Sequence, residues 1–267
     1  MRIFRKCVQA KTAELRLIET ICDKTSRMLS RLKKSIRKRY SIALGLLHKP
    51  LVENRTSDPF HTAWKMFVDM ANNIPRAKVL EMGAGMLENS TCKRELFSNC
   101  ETYIGFDIHA GRNIDVVGDA HCLSRYFASD SFDVVFSISV FEHLIMPWKV
   151  ALEINKVLKT GGIVAITSHP AWPPHELPWD FWRFQSNSFI SLFNKHTGFE
   201  ILNSTEGVPG RLYCLTKAPR IGDLYRHPIY LGVVVIARKT HDYDSDALRW
   251  DVDVRDITDT MYPFHHL

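Results

Sequence analysis

The sequence predicts an α/β fold in which short parallel strands alternate with crossover helices, preceded by a basic helical extension. Three observations carry that reading. From Phe60 onward, β-branched runs of strand length alternate with segments of helical period. The first run leads straight into glycines at 83 and 85, a sharp turn at a strand's carboxyl end. Acids then recur at the ends of successive runs, at Glu81, Asp107 and Asp119, along the edge where such sheets bind ligands. The 267 residues suffice for one or two domains with a sizeable core. Apolar residues at 45% and charged residues at 24% exclude a disordered chain, a collagen-like repeat and a small disulfide scaffold.

The extension comes first. Residues 1–50 hold fourteen Lys/Arg against three acids, while the other 217 residues hold 21 against 26. The basic excess is densest in Arg31–Arg39, and Leu15, Ile18, Cys22, Leu29, Leu32 and Ile36 fall at mostly helical spacing. Such amphipathic helices pack on the main domain or a protein partner, or lie on an anionic membrane surface. Nucleic acid is disfavoured, because no aromatics interleave the basic run for base stacking. The opening MRIFRKCVQAKTAEL lacks the apolar core of a secretory signal, and no apolar run approaches the ~18–20 residues that cross a bilayer. A cytoplasmic protein is expected, with peripheral contact at the inner face of a membrane as the alternative. Lys49-Pro50 and ENRTSDP mark the boundary to a domain of residues 51–240.

Within that domain the candidate strands are Lys78–Met82, Thr102–Asp107, Ile114–Val117, Phe132–Ser137, Gly162–Ser168, Phe199–Asn203 and Tyr230–Arg238. Helices fit at His61–Asn73, Pro147–Leu158 and Ser186–His196; Pro147 suits a helix start and LKTGG a helix stop. Residues 204–229 read as a long loop that adds to an acceptor pocket. Residues 241–267 form an acidic tail without the glycine turn and terminal glutamate of a calcium loop. The six cysteines include no C-x-x-C pair and read as reduced thiols. No histidine cluster has ligand spacing, so no metal is expected.

Glycines at 83 and 85 let a ligand approach the backbone, but Glu88 stands where G-x-G-x-x-G needs its third glycine, and its charge opposes a pyrophosphate. A carboxylate at Glu81 suits a cationic ligand, an ammonium or a sulfonium. Asp107 ends YIGFD, where it can accept from both ribose hydroxyls. In GDAH, Asp119 can accept from an adenine amino group, with the Ala120 amide available to a ring nitrogen.

The combination EMGAGM, YIGFD, GDAH and SFDVVFSISVFEHL resembles the class I S-adenosylmethionine-dependent methyltransferases, and most of all their type 11 small-molecule group. The resemblance spans about residues 60–240. It implies a Rossmann-like sheet of seven strands, mostly parallel with the last antiparallel, and S-adenosylmethionine as cofactor. It assigns Glu81, Gly83 and Gly85 to the methionine end, Asp107 to the ribose, Asp119 and Ala120 to the adenine, and Ser139 and Val140 to the flank of the methionine portion. One departure is Leu87, where a third glycine is frequent.

After the fifth strand, SHPAWPPHELPWDFWRF holds four prolines and three tryptophans, so it is no crossover helix. It reads either as an aromatic lid or as an acceptor wall, with Trp172, Glu176, Trp179, Asp180, Trp182 and Arg183 facing a sugar-like or polar ring. HELPWDFWRF resembles stretches in bacterial glycan-modifying methyltransferases. For an alcohol acceptor a histidine base is expected at His169, ahead of His143 and His175. The expected reaction is O-methylation of a small molecule or glycan hydroxyl. C-methylation of a quinone or lipid precursor, or a silent cofactor-binding scaffold, are the alternatives. A nucleic-acid amino-methyltransferase is disfavoured, since SISVFEH lacks the Pro-Pro-aromatic turn of that chemistry.

Overall fold

A computed structural model describes residues 25, 28–33, 35–36, 55–85, 92–213, 224 and 227–246. The chain divides into two compact units, Met1–Leu51 and Val52–Leu267. Of the first, the described residues are helical and exposed; Met28, Leu29, Leu32 and Ile36 present apolar side chains to solvent. Residues 1–54 apart from those named, 86–91, most of 214–226 and those beyond 246 lie outside the described residues. Among those described, no helix is long and apolar enough to cross a membrane.

The second unit is built on a seven-stranded sheet: β1 Lys78–Met82, β2 Thr102–Asp107, β3 Val116–Val117, β4 Phe132–Ile138, β5 Leu158–Ser168, β6 Phe199–Arg211 and β7 Pro228–Lys239. Their order across the sheet is β3-β2-β1-β4-β5-β7-β6. All neighbours pair in parallel except around β7, which runs antiparallel to β5 and β6. The strand period of two sorts the core. Val79, Val134, Phe136, Ile163, Ala165, Val234 and Ile236 point to one face; Leu80, Val135, Val164, Ile166, Val233 and Val235 point to the other.

Helix α1, Pro59–Asn72, covers the first face through Ala63, Phe67 and Ala71, one helical turn apart. Its start is fixed by buried Asp58, which accepts from the His61 amide and ring and from the Val208 amide of β6. Helix α2, Pro147–Val157, and helix α3, Ser186–Leu192, cover the second face. Strand order reverses between β1 and β4, so the carboxyl ends of β1, β2 and β4 surround the crevice where such sheets bind ligands.

Several expectations about element length change; β3, for one, spans Val116–Val117 and does not begin at Ile114. Residues 204–211 belong to β6, paired to β7 as far as Arg211↔Pro228, so the loop begins later than the sequence indicates. The segment LKTGG forms the start of β5 rather than a turn. Helix α3 ends at Leu192, and Asn194–Thr197 turn back through bonds of the Asn194 and Thr197 side chains.

Candidate active site

The crevice is a cleft open to solvent and lined by Gly83, Phe106, Asp107, Asp119, Ala120, Val140, His143 and Trp179, among others. Its floor depends on the glycine turn. Gly83 takes φ +76°, and a Cβ there would lie 2.1 Å from Val140 Cγ2. The Gly83 and Ala84 amides donate to the Phe106 carbonyl, and the Gly85 amide donates to Asp107 Oδ2 at 3.0 Å. A Cβ at residue 85 would sit 2.9 Å from that same oxygen. The turn after β1 is thereby joined to the tip of β2 on one side and to the segment after β4 on the other.

Asp107 Oδ1 accepts from the His109 amide at 3.0 Å, so both carboxylate oxygens are held by main-chain donors. Each keeps a lone pair for a ligand at the cleft wall. Asp119 caps the turn that follows β3 and accepts from the His121 amide and ring through Oδ1 alone. Its Oδ2 remains available to the cleft, and Ala120 lines the cleft beside it. Burial pushes the Asp119 carboxyl upward, but the hydrogen bonds from His121 outweigh it and hold the group below the usual carboxylate range. His121 is a positioning residue that the sequence did not point to, because a histidine two residues after an acid has no distinctive pattern.

Two residues expected at the methionine end have protein partners. Glu81 is buried and accepts from the Tyr103 hydroxyl and from Asn113 Nδ2, whose amide group also donates to the Ala84 carbonyl. Burial raises its carboxyl above the usual range, with those two bonds opposing. Glu81 points away from the Leu80 and Met82 face of its strand, so it braces the glycine turn from behind instead of lining the cleft. Ser139 takes φ +54° and turns its hydroxyl to His169 Nε2 at 3.1 Å, leaving Val140 as the lining residue.

The proline-rich segment after β5 reaches the cleft through Trp179. Arg183 ties it together: its guanidinium pairs with both Asp180 oxygens and donates to the Trp172, Pro173 and Trp182 carbonyls. The Arg183 bond, joined by the His175 amide, draws the Asp180 carboxyl down to about 2. Asp180 and Arg183 thus pair with each other and form a clasp within the segment. Trp182 donates to the Leu144 carbonyl and packs edge-on against Trp148. Trp172 is exposed and stacks on His169 at 4.7 Å. Only Trp179 of the three tryptophans lines the cleft.

The three candidate histidines converge. His143 and His175 have ring centroids 4.7 Å apart, and His169 lies 6.4 Å from His175. Each uses Nδ1 against a main-chain carbonyl: Trp179 for His143, Leu231 for His169 and Pro173 for His175. Of these three, His143 lines the cleft. Glu176, in the left-handed region at φ +53°, places Oε2 3.5 Å from His143 Nε2. Glu142, fully buried after β4, places Oε1 3.5 Å from His169 Nε2. Glu142, His143 and His175 bring ligand-capable atoms within 4.8 Å of one another, although spacing along the chain gave no sign of a metal group.

Residues 80–166 match a protein family described as a methyltransferase domain. Among solved structures, a candidate methyltransferase from Bacillus halodurans C-125 superposes with a TM-score of 0.52 at 12% identity, over 67% of this chain and 100% of that one. The YcgJ protein from Bacillus subtilis superposes with a TM-score of 0.50 at 15% identity, over 68% of this chain and 99% of that one. No curated protein matches the chain. The likeness to these structures is one of fold.

Proposed function

We propose that this chain, with a methyltransferase domain over residues 80–166, transfers a methyl group from S-adenosylmethionine to a hydroxyl of a small molecule or sugar. One observation carries the reading: Asp107 and Asp119, at the tips of β2 and β3, line the same cleft as Gly83, whose lack of a side chain lets Val140 pack against the turn. The donor set fits the cofactor. Asp107 holds the ribose hydroxyls, Asp119 Oδ2 takes the adenine amino group, and the Ala120 amide takes a ring nitrogen. Gly83 and Val140 form the floor at the methionine end. Bound there, S-adenosylmethionine supplies a methyl group already activated by its sulfonium.

The remaining work belongs to the acceptor side. Positioning an oxygen in line for displacement accounts for much of the rate, on the order of 7–11 kcal/mol in favourable cases. Trp179 at the cleft and Trp172 and Trp182 at its mouth supply the aromatic faces against which a sugar-like ring packs. His169 serves as general base: its Nδ1 hydrogen is held by the Leu231 carbonyl, so Nε2 is the nitrogen that takes the acceptor's proton. Ser139 holds that nitrogen in the absence of an acceptor. We further propose a cytoplasmic protein whose residues 1–50 meet an anionic membrane surface or a protein partner. The exposed apolar residues Met28, Leu29, Leu32 and Ile36 beside Arg31 and Lys33 support that placement.

Calorimetric titration with S-adenosylmethionine, S-adenosylhomocysteine and NAD tests the cofactor reading, with Asp107→Ala in parallel. Micromolar binding of the two sulfur ligands, absent for NAD and weakened in the variant, is expected. An acceptor screen starting with sugars then follows. Folded protein that binds neither sulfur ligand would leave the scaffold reading in its place.

A further inference from the structure

We infer that Glu142, His143 and His175 form a binding site for one divalent transition cation, zinc by preference, at the acceptor side of the cleft. The existence of the site does not depend on the methyl-transfer reading; its use in that reaction does. The first argument is tautomeric. A main-chain carbonyl only accepts, so the Trp179 carbonyl fixes the hydrogen of His143 on Nδ1, and the Pro173 carbonyl does the same for His175. In the neutral rings Nε2 then carries the lone pair. This is the arrangement by which metal-binding histidines are oriented, with the far nitrogen tethered to a carbonyl or carboxylate.

The second argument is Glu142. Its side chain is fully buried, and Oε2 accepts from Ser168 Oγ at 2.7 Å. Oε1 has no hydrogen-bond partner among the described residues. A buried carboxylate oxygen left without a donor is costly, and a cation is one of the few groups that offsets it. His169 Nε2, 3.5 Å from Oε1, already accepts from the Ser139 hydroxyl. Glu176 Oε2 stands 3.5 Å from His143 Nε2, which places a second carboxylate beside the group.

The third argument is chemical type and position. Two imidazoles and a carboxylate make up the ligand set of catalytic zinc centres that keep an open position. Ligand atoms about 2.0–2.2 Å from a tetrahedral zinc stand roughly 3.3–3.6 Å apart. The present limit of 4.8 Å closes to that range with a shift of about an ångström, which the partly exposed His175 loop can supply. His143 lines the cleft, so the open position faces it. An oxygen donor of the acceptor, a hydroxyl or carboxylate, is the ligand such a centre takes, and metal coordination lowers a hydroxyl's pKa.

The test uses the full chain, stripped with a chelator, dialysed and titrated with Co²⁺ and with Zn²⁺. Expected are about one metal per chain by elemental analysis and the visible absorption of low-coordinate cobalt. His175→Ala, at a partly exposed position, is expected to keep its melting temperature and to weaken cobalt binding on the order of 100-fold. Glu142→Gln is expected to weaken it similarly, with circular dichroism checking its fold. Absence of stoichiometric cobalt, or unchanged affinity in His175→Ala, overturns the site. S-adenosylmethionine binding is measured on the same samples. Cobalt bound without it overturns the methyl-transfer reading and leaves the metal site standing, and the reverse result does the opposite.

Discussion

His121 donates from Nδ1 to Asp119 Oδ1 at 2.7 Å, while its Nε2 accepts from the Met146 amide at 3.2 Å. An amide only donates, so Met146, at the start of α2, fixes the tautomer that orients Asp119. The proposed adenine contact thus rests on a relay from helix to imidazole to carboxylate. His121→Ala is expected to weaken S-adenosylmethionine binding about tenfold, the loss of one charge-assisted hydrogen bond's worth of positioning. His121→Asn keeps a donor toward Asp119 and should recover part of the loss. Calorimetry decides; equal affinity in wild type and His121→Ala would remove the relay.

Gly83→Ala imposes two separable penalties. At φ +76° a side chain costs about 1–3 kcal/mol in backbone strain, and the added Cβ meets Val140 Cγ2 at 2.1 Å. Cofactor binding should fall below detection, with a melting temperature several degrees lower. Adding Val140→Ala removes the contact and leaves the strain. The double variant should therefore regain binding without regaining the wild-type melting temperature. Binding retained in the single variant would show that the turn does not set the cleft floor.

The glycine turn and the strand-end acids were legible because they are local: a strand followed by Gly-x-Gly dictates its own conformation. Strands β1 and β2 have the bounds the sequence predicts for the same reason. The partners were not legible, because they come from distant segments. Glu81 meets Tyr103 and Asn113, and the Glu142–His143 pair meets His175, only through strand order and the folded proline segment. The β6 extension was hidden by STEGVPGR, which reads as a turn. Its strand lies at the sheet edge, where the missing amide of Pro209 breaks no ladder, so pairing with β7 overrides the local preference.

The Asp180–Arg183 clasp makes the fold of the proline segment sensitive to acid. The folded carboxyl, at about 2, lies below its unfolded value of 3.8. Its stabilising contribution is therefore complete above the unfolded pKa and is lost as pH falls from about 4 through about 2. Solvent near the clasp screens the pair, so the contribution is about 1 kcal/mol. Arg183→Met should make the proline segment susceptible to proteolysis at neutral pH and remove that portion of the acid dependence. A variant with wild-type proteolysis and an unchanged pH–stability curve would show that the clasp holds nothing. Since Arg183 also anchors three carbonyls, Asp180→Asn should give the milder defect of the two.

Lys239 offers a test of what holds the far end of the sheet. It is fully buried, and Nζ donates to the Asn155 and Leu158 carbonyls at 2.7 Å each and pairs with Asp130 and Asp242. The two carbonyls lie at the carboxyl end of α2, where a helix leaves its last acceptors unsatisfied. Both acids are more than half exposed, so water replaces the lysine for them, whereas nothing replaces it for the carbonyls. Lys239→Met should thus cost about 2–4 kcal/mol, from two buried acceptors left without donors. Asp242→Asn should cost less than about 1 kcal/mol, as exposed ion pairs do. Urea unfolding of both variants at low and high salt separates the two contributions. If the Asp242 variant proved as damaging as the lysine variant, the ion pairs and not the helix carbonyls would be the anchor.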